Sequence, residues 1–182
     1  RTVAVAGTHG KTTTTGMLTC ALQAAGADPS FAVGATVASL GTNARRGSGD
    51  VIVAEADESD GAFLVYTPAG AIVTNVDADH LDQWGTEDAY VAAFARFVAG
   101  VEEFVVLDAD DPATRDLSVH VRPGTQIWSA GFDDGARVRG TDLAVDGSTT
   151  SFSVLLDDVP LVDVRLAVPG RHYALDALLA LA

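Results

Sequence analysis

The chain has 182 residues, 48% of them apolar and 20% charged, which suits a folded core and argues against disorder. A formal net charge of −14 argues against nucleic acid or an anionic membrane as partners, because both repel an acidic surface. No apolar run approaches the ~20 residues needed to span a bilayer and no signal peptide is visible, so a cytoplasmic location is expected. In chain order, Thr2–Ala6 reads as a buried strand leading into Gly7-Thr8-His9-Gly10-Lys11-Thr12-Thr13. Leu18, Ala21, Leu22 and Ala25 then recur at i, i+3, i+4 and i+7, the spacing of a helix. The single cysteine, Cys20, falls in that helix and is expected to be a buried structural thiol. Phe31–Val33 is a second short strand, followed by the basic stretch Asn43-Ala44-Arg45-Arg46.

Val51–Ala54 is a buried-type strand that ends in Glu55-Ala56-Asp57-Glu58-Ser59-Asp60. Ala71–Thr74 is another, ending in Asn75-Val76-Asp77-Ala78-Asp79-His80-Leu81-Asp82. Thr86 is placed to cap a helix with Glu87 and Asp88 in its first turn, and Gly100 to close it. Val91, Phe94, Ala95 and Val98 form its apolar face, and Phe104–Leu107 and Gln126–Trp128 continue the strands. Beyond Gly131 the period changes to two, in Phe152, Val154, Leu156 and again in Val162, Val164, Leu166, Val168. Pro169-Gly170 ends that stretch, and a last helix begins near His172. The fold class expected is α/β, with a P-loop-type, mostly parallel sheet flanked by helices and a small antiparallel β portion near the C-terminus. Residues 1–182 read as one domain. With no initiator Met and an end inside a helical pattern, it reads as a domain cut from a longer protein.

The chemistry begins at Lys11, the one lysine among eleven Lys and Arg residues. A strand, a glycine loop, a lysine with a hydroxyl and then a helix form a cradle for a nucleotide triphosphate. Backbone N–H groups close around phosphate oxygens, the lysine reaches the terminal phosphates, and the Thr12 hydroxyl ligates Mg²⁺. The loop is shorter than G-x-x-x-x-G-K-[ST], because Val5 stands where that pattern needs glycine. In open parallel sheets ligands bind at the carboxyl ends of the strands, and the acidic run and the His80 cluster are both expected there. An acidic residue ending a buried strand holds Mg²⁺ in such sites, which makes Glu55 the leading metal candidate. His80, flanked by carboxylates, suits a second ion.

G-T-H-G-K-T-T-T, E-A-D-E-S-D, T-N-V-D-A-D-H-L-D and P-G-R-H, in this order and spacing, resemble the central ATPase domain of the Mur ligases, over essentially the whole chain. Ser59 in the acidic motif resembles the branch joining L-alanine to UDP-N-acetylmuramate more than the murein-peptide branch, which tends to carry tyrosine there. The resemblance implies small-molecule substrates (ATP, UDP-N-acetylmuramate and L-alanine) and an amide made through an acyl phosphate for peptidoglycan. It implies ATP and Mg²⁺ as cofactors, Lys11, Glu55 and His80 as catalytic residues, and Thr12, Glu55 and His80 as metal ligands. Gly7, Thr8, His9, Gly10, Lys11, Thr12 and Thr13 would hold the phosphates, with His172 and Asp176 at adenine and Asn43, Arg45 and Ser59 at the sugar nucleotide. The UDP-binding and alanine-positioning domains of that family lie outside this chain, so the isolated piece is expected to be inactive. The last motif departs from the family form G-R-H-N-x-x-N, since Tyr173 and Asp176 replace the asparagines, and an ionised Asp176 can only accept. Folylpolyglutamate and murein-peptide ligases, ParA-like or dethiobiotin-synthetase-like P-loop proteins, and a non-catalytic nucleotide-binding module are the rival readings.

Overall fold

The computed structural model describes residues 1–79 and 81–182. It runs β1 (Thr2–Ala6), α1 (Lys11–Ala24), β2 (Ser30–Val37), β3 (Thr42–Arg45), β4 (Ile52–Glu55) and β5 (Gly70–Val73). Then follow α2 (Leu81–Trp84), α3 (Glu87–Ala99), β6 (Phe104–Asp108), α4 (Pro112–Asp116), β7 (Gln126–Gly131), β8 (Val138–Asp146), β9 (Thr149–Leu156), β10 (Val159–Leu166) and α5 (Arg171–Leu181). The strands form one sheet in the order β10-β9-β8-β7-β6-β5-β1-β4-β2-β3. From β2 through β7 the sheet is parallel, with β1 between β4 and β5. β8 joins β7 in parallel through only two pairs, Ala130↔Val138 and Gly131↔Arg139, and then pairs antiparallel with β9, as β9 does with β10. The expected α/β class with an antiparallel C-terminal portion is therefore what the chain adopts.

Successive residues of β1 point to opposite faces, and the packing follows that alternation. Ala4 and Ala6 face a cluster with Phe63, Tyr90, Phe94, Phe97 and Val98, while Val5 faces Ile72, Val106, Ala174, Leu178 and Leu179. The small alanines leave room for an aromatic layer in which Phe63 lies 5.1 Å, centroid to centroid, from both Phe94 and Phe97. Each such ring, fully buried, contributes about 1.5–3 kcal/mol. Thr86 caps α3 as its sequence suggests, its hydroxyl accepting from the Ala89 N–H at 3.2 Å. In α1 the Thr15 and Thr19 hydroxyls donate to carbonyls one turn back, at 2.7 and 2.8 Å.

Two expectations change. Cys20 is half-buried rather than buried, with its sulfur 3.2 Å from the Ser39 hydroxyl, because it sits on the flank of α1 beside the end of β2. Asn43, Ala44 and Arg45 lie in β3, an edge strand antiparallel to β2, where the sequence suggested only a basic stretch. No helix of the described residues is long and apolar enough to cross a membrane. The carboxyl ends of β1, β4 and β5 lie side by side, and the polar clusters converge there.

Candidate functional site

The glycine loop leaves β1 with a backbone that only glycine adopts easily: Gly7 has φ +135° and Gly10 has φ +85°. A methyl group on Gly7 would land on the Thr74 hydroxyl, and one on Gly10 would sit 2.5 Å from Asp176 Oδ1. Gly10 begins α1 with no side-chain cap, so the first-turn N–H groups remain directed into the loop, where an anion is favoured.

The end of β5 braces this loop. Thr8 N–H donates to the Asn75 carbonyl at 3.0 Å, and His9 N–H donates to Asn75 Oδ1 at 2.8 Å. The His9 carbonyl accepts from Thr74 Oγ1 at 2.6 Å and from Asn75 Nδ2 at 2.9 Å. The Thr8 hydroxyl accepts from the Asp77 N–H at 2.9 Å and lies 2.9 Å from the Tyr90 hydroxyl. Burial pushes the Tyr90 phenol up to about 12, so it remains a neutral partner. Thr74, Asn75, Asp77 and Tyr90 thus hold the loop's shape. Sequence reasoning marked the Thr74–Asp82 stretch as polar strand-end residues but gave Tyr90 no part at all. A lone aromatic on an amphipathic helix reads as core.

Glu55 leaves β4 beside the start of α1. The Thr12 hydroxyl lies 3.0 and 3.1 Å from its two carboxylate oxygens, and the Gly34 N–H donates to Oε2 at 2.6 Å. A methyl group on Gly34 would approach that carboxylate to 3.1 Å, so the glycine admits it. Lys11 turns back over the loop. Its Nζ donates to the Gly7 carbonyl at 2.7 Å, the Thr8 carbonyl at 3.2 Å and Glu58 Oε1 at 3.0 Å. Glu58 is wholly buried, a partner the sequence did not single out from the four acids of its run.

Asp176 lies on α5 beneath the loop, buried against Gly10, rather than on the open rim. Burial pushes its carboxyl up to about 7; the Asp108 charge adds to the rise and the Thr14 hydroxyl opposes it. Asp108, at the end of β6, is likewise raised to about 7, chiefly by burial. A carboxyl that holds its proton up to about pH 7 repels an anion in the cradle less than one ionised from its ordinary value of 3.8. The unfolded chain ionises these groups near 3.8, so between pH 4 and about 7 the native state holds protons that the unfolded state has lost. Stability therefore falls as pH rises through that window and levels off above it. Asp176→Asn should raise the melting temperature by several degrees at pH 8 and little at pH 4, flattening the pH dependence seen in thermal melts. An equal shift at both pH values would argue against the raised carboxyl.

Of the other residues marked in the sequence, Thr13 lies in the first turn of α1, and His9 is exposed on the loop, 3.9 Å from Asp77. His172 is exposed at the start of α5, its ring 4.2 Å from that of Tyr173. Ser59 follows Glu58 in the turn after β4, its N–H bonded to Asp57 Oδ1 at 3.0 Å. Asn43 and Arg45 are not gathered with the loop: β2 and β4 separate their strand from β1, and Arg45 pairs with Asp28 at 2.6 Å. His80 lies outside the described residues. Among the described residues, no three His, Cys, Asp or Glu side chains converge as a metal cage.

The family profile of the Mur ligase middle domain matches residues 5–182. A UDP-N-acetylmuramate–L-alanine ligase of Nocardioides sp. is 50% identical across the whole chain, which spans 36% of that protein, and one of Acidothermus cellulolyticus is 48% identical, the chain spanning 39% of it. Among solved structures, the UDP-N-acetylmuramate:L-alanyl-gamma-D-glutamyl-meso-diaminopimelate ligase of Neisseria meningitides superposes with a TM-score of 0.86 at 29% identity, over 98% of this chain and 59% of that one. The UDP-N-acetylmuramate-alanine ligase of Thermotoga maritima follows at 0.83 and 28%, over all of this chain and 40% of that one. The match runs through the glycine loop, the Glu55 strand end and α5 alike, and this chain belongs to the Mur ligase middle-domain family.

Proposed function

We propose that this chain is the ATP-binding part of a cytoplasmic ligase that joins L-alanine to UDP-N-acetylmuramate through an acyl phosphate, for peptidoglycan synthesis. The observation that carries the reading is the contact of Thr12 with Glu55, at 3.0 and 3.1 Å, beside an uncapped helix start. Whole-chain identity of 50% to a ligase of that name supports the choice of substrates. The chain spans little more than a third of such relatives, so the UDP-binding and alanine-positioning domains are assigned to the remainder of the protein.

A carboxylate substrate is a poor electrophile at neutral pH, and phosphorylating it brings two anionic groups together. Lys11 would neutralise the β- and γ-phosphates, while the first-turn N–H groups of α1 orient them. The hydroxyl of Thr12 and the carboxylate of Glu55 fit Mg²⁺, a hard ion that takes one or two carboxylates and completes its shell with phosphate oxygens and water. Bound there, Mg²⁺ supplies further screening of the transferred phosphoryl group. His80 is the candidate ligand for a second ion, His172 for adenine, and Asn43, Arg45 and Ser59 for the sugar nucleotide. Asp176 would act from below, shaping Gly10. The expected result for the full-length protein is phosphate release from ATP that requires UDP-N-acetylmuramate and yields a hydroxamate when hydroxylamine replaces L-alanine. ATP hydrolysis indifferent to UDP-N-acetylmuramate would overturn the ligase reading. Preference for a peptide over L-alanine would move the chain to the murein-peptide branch.

A further inference from the structure

We propose that Glu58 is an internal anion that latches Lys11 closed, and that nucleotide phosphate must displace it to bind. The proposal rests on the reading of the loop as a phosphate cradle. An ammonium has three N–H donors, and Lys11 spends all three within the chain, on the Gly7 and Thr8 carbonyls and the Glu58 carboxylate. Both Glu58 oxygens lie close to Nζ, at 3.0 and 2.9 Å, so no donor is left over for a ligand. The pair is shielded from water, with side-chain exposure of 14% for Lys11 and 1% for Glu58, and is therefore weakly screened.

The backbone that carries this carboxylate is also firmly seated. The Glu58 carbonyl accepts from the Trp84 indole N–H at 3.1 Å and from the Gly61 N–H at 3.2 Å. The Trp84 ring covers Gly61 so closely that a Cβ there would approach it to 3.3 Å. From this anchored backbone the buried carboxylate occupies the ammonium just where a phosphate oxygen needs it. Binding then carries the penalty of first populating the open state, which raises the apparent dissociation constant by the inverse of the open fraction. Glu58 acts through Lys11 and is a positioning residue.

The test uses Glu58→Gln in the full-length protein, which keeps the shape and removes the charge. Two quantities are read: the rate at which an amine reagent modifies Lys11 in the ligand-free protein, followed on the Lys11 peptide by mass spectrometry, and the dissociation constant for Mg²⁺ with a non-hydrolysable ATP analogue. Lys11 should label several-fold faster, and the analogue should bind about three- to tenfold more tightly. Unchanged labelling, or unchanged or weaker binding in a protein that melts normally, overturns the latch. Should Glu58→Gln fail to fold, Glu58→Asp draws the charge back by one methylene. It should move both readouts in the same direction by less, and no movement in either overturns the proposal. Failure of the unmodified protein to bind the analogue would overturn the cradle reading instead. That outcome is distinguishable, because slow labelling of Lys11 would persist.

Discussion

Replacing Lys11 with alanine is expected to abolish Mg-nucleotide binding and to destabilise the fold in the same stroke. The first effect follows from the loop, where the only lysine of the chain stands at the start of α1 among N–H groups that alone carry partial charge. Removing a full charge from a desolvated phosphate contact should raise the dissociation constant by about a hundredfold or more. The second effect comes from Glu58, whose wholly buried carboxylate loses the Lys11 ammonium. Breaking a buried pair from one side costs about 3–5 kcal/mol, and each kcal/mol lowers the melting temperature of a chain this size by about 2–4 °C. Adding Glu58→Gln to Lys11→Ala should restore much of the stability and none of the binding. Calorimetric titration and thermal melts separate the two effects. Retained affinity in the single variant would sink the cradle assignment.

Glu55→Ala in the full-length protein should leave the fold largely intact and remove acyl phosphate formation. The Glu55 side chain is only half-buried and touches Thr12 and the Gly34 N–H, so its loss opens no core cavity. What is lost is the carboxylate that would hold Mg²⁺ beside the γ-phosphate, a contribution of several kcal/mol, or about a thousandfold in rate. Hydroxamate trapping measures that step directly, and the same assay on His80→Ala tests the second ion. Normal phosphate release in both variants would count decisively against the metal roles.

Much of the architecture could be read from the residues alone, because buried parallel strands announce themselves as apolar runs ending in polar clusters. β1, β4 and β5 are of that kind, and their adjacency in the sheet brings the Thr12 hydroxyl to the Glu55 carboxylate. β3 was illegible for the opposite reason. Thr-Asn-Ala-Arg is an exposed edge strand with no apolar alternation to reveal it. Within Glu55–Asp60, periodicity does not say which acid turns inward. The 3-10 turn that follows, Ala62–Val65, and the Trp84 indole decide it in favour of Glu58. Asp176 was read from its motif as ligand-facing, yet on α5 it is buried against Gly10 and the Thr14 hydroxyl of α1, on the side of the helix away from Ala174 and Leu178. Phase on a short, almost wholly apolar helix is set by what packs on it, not by its own pattern.

The change of direction at β7–β8 has a mechanical side. Two residue pairs are a thin weld between the parallel sheet and the antiparallel wing formed by β8, β9 and β10. α5 spans that weld, packing Ala174, Ala177 and Leu178 with Val138, Phe152 and Val154 of the wing and with Val5 and Val106 of the parallel sheet. It behaves as a splint, and its side chain Asp176 bears directly on the floor of the glycine loop at Gly10. One helix thus ties the antiparallel wing, the parallel sheet and the floor of the glycine loop to a single element, so a substitution that shifts α5 on the wing is expected to be felt at Gly10.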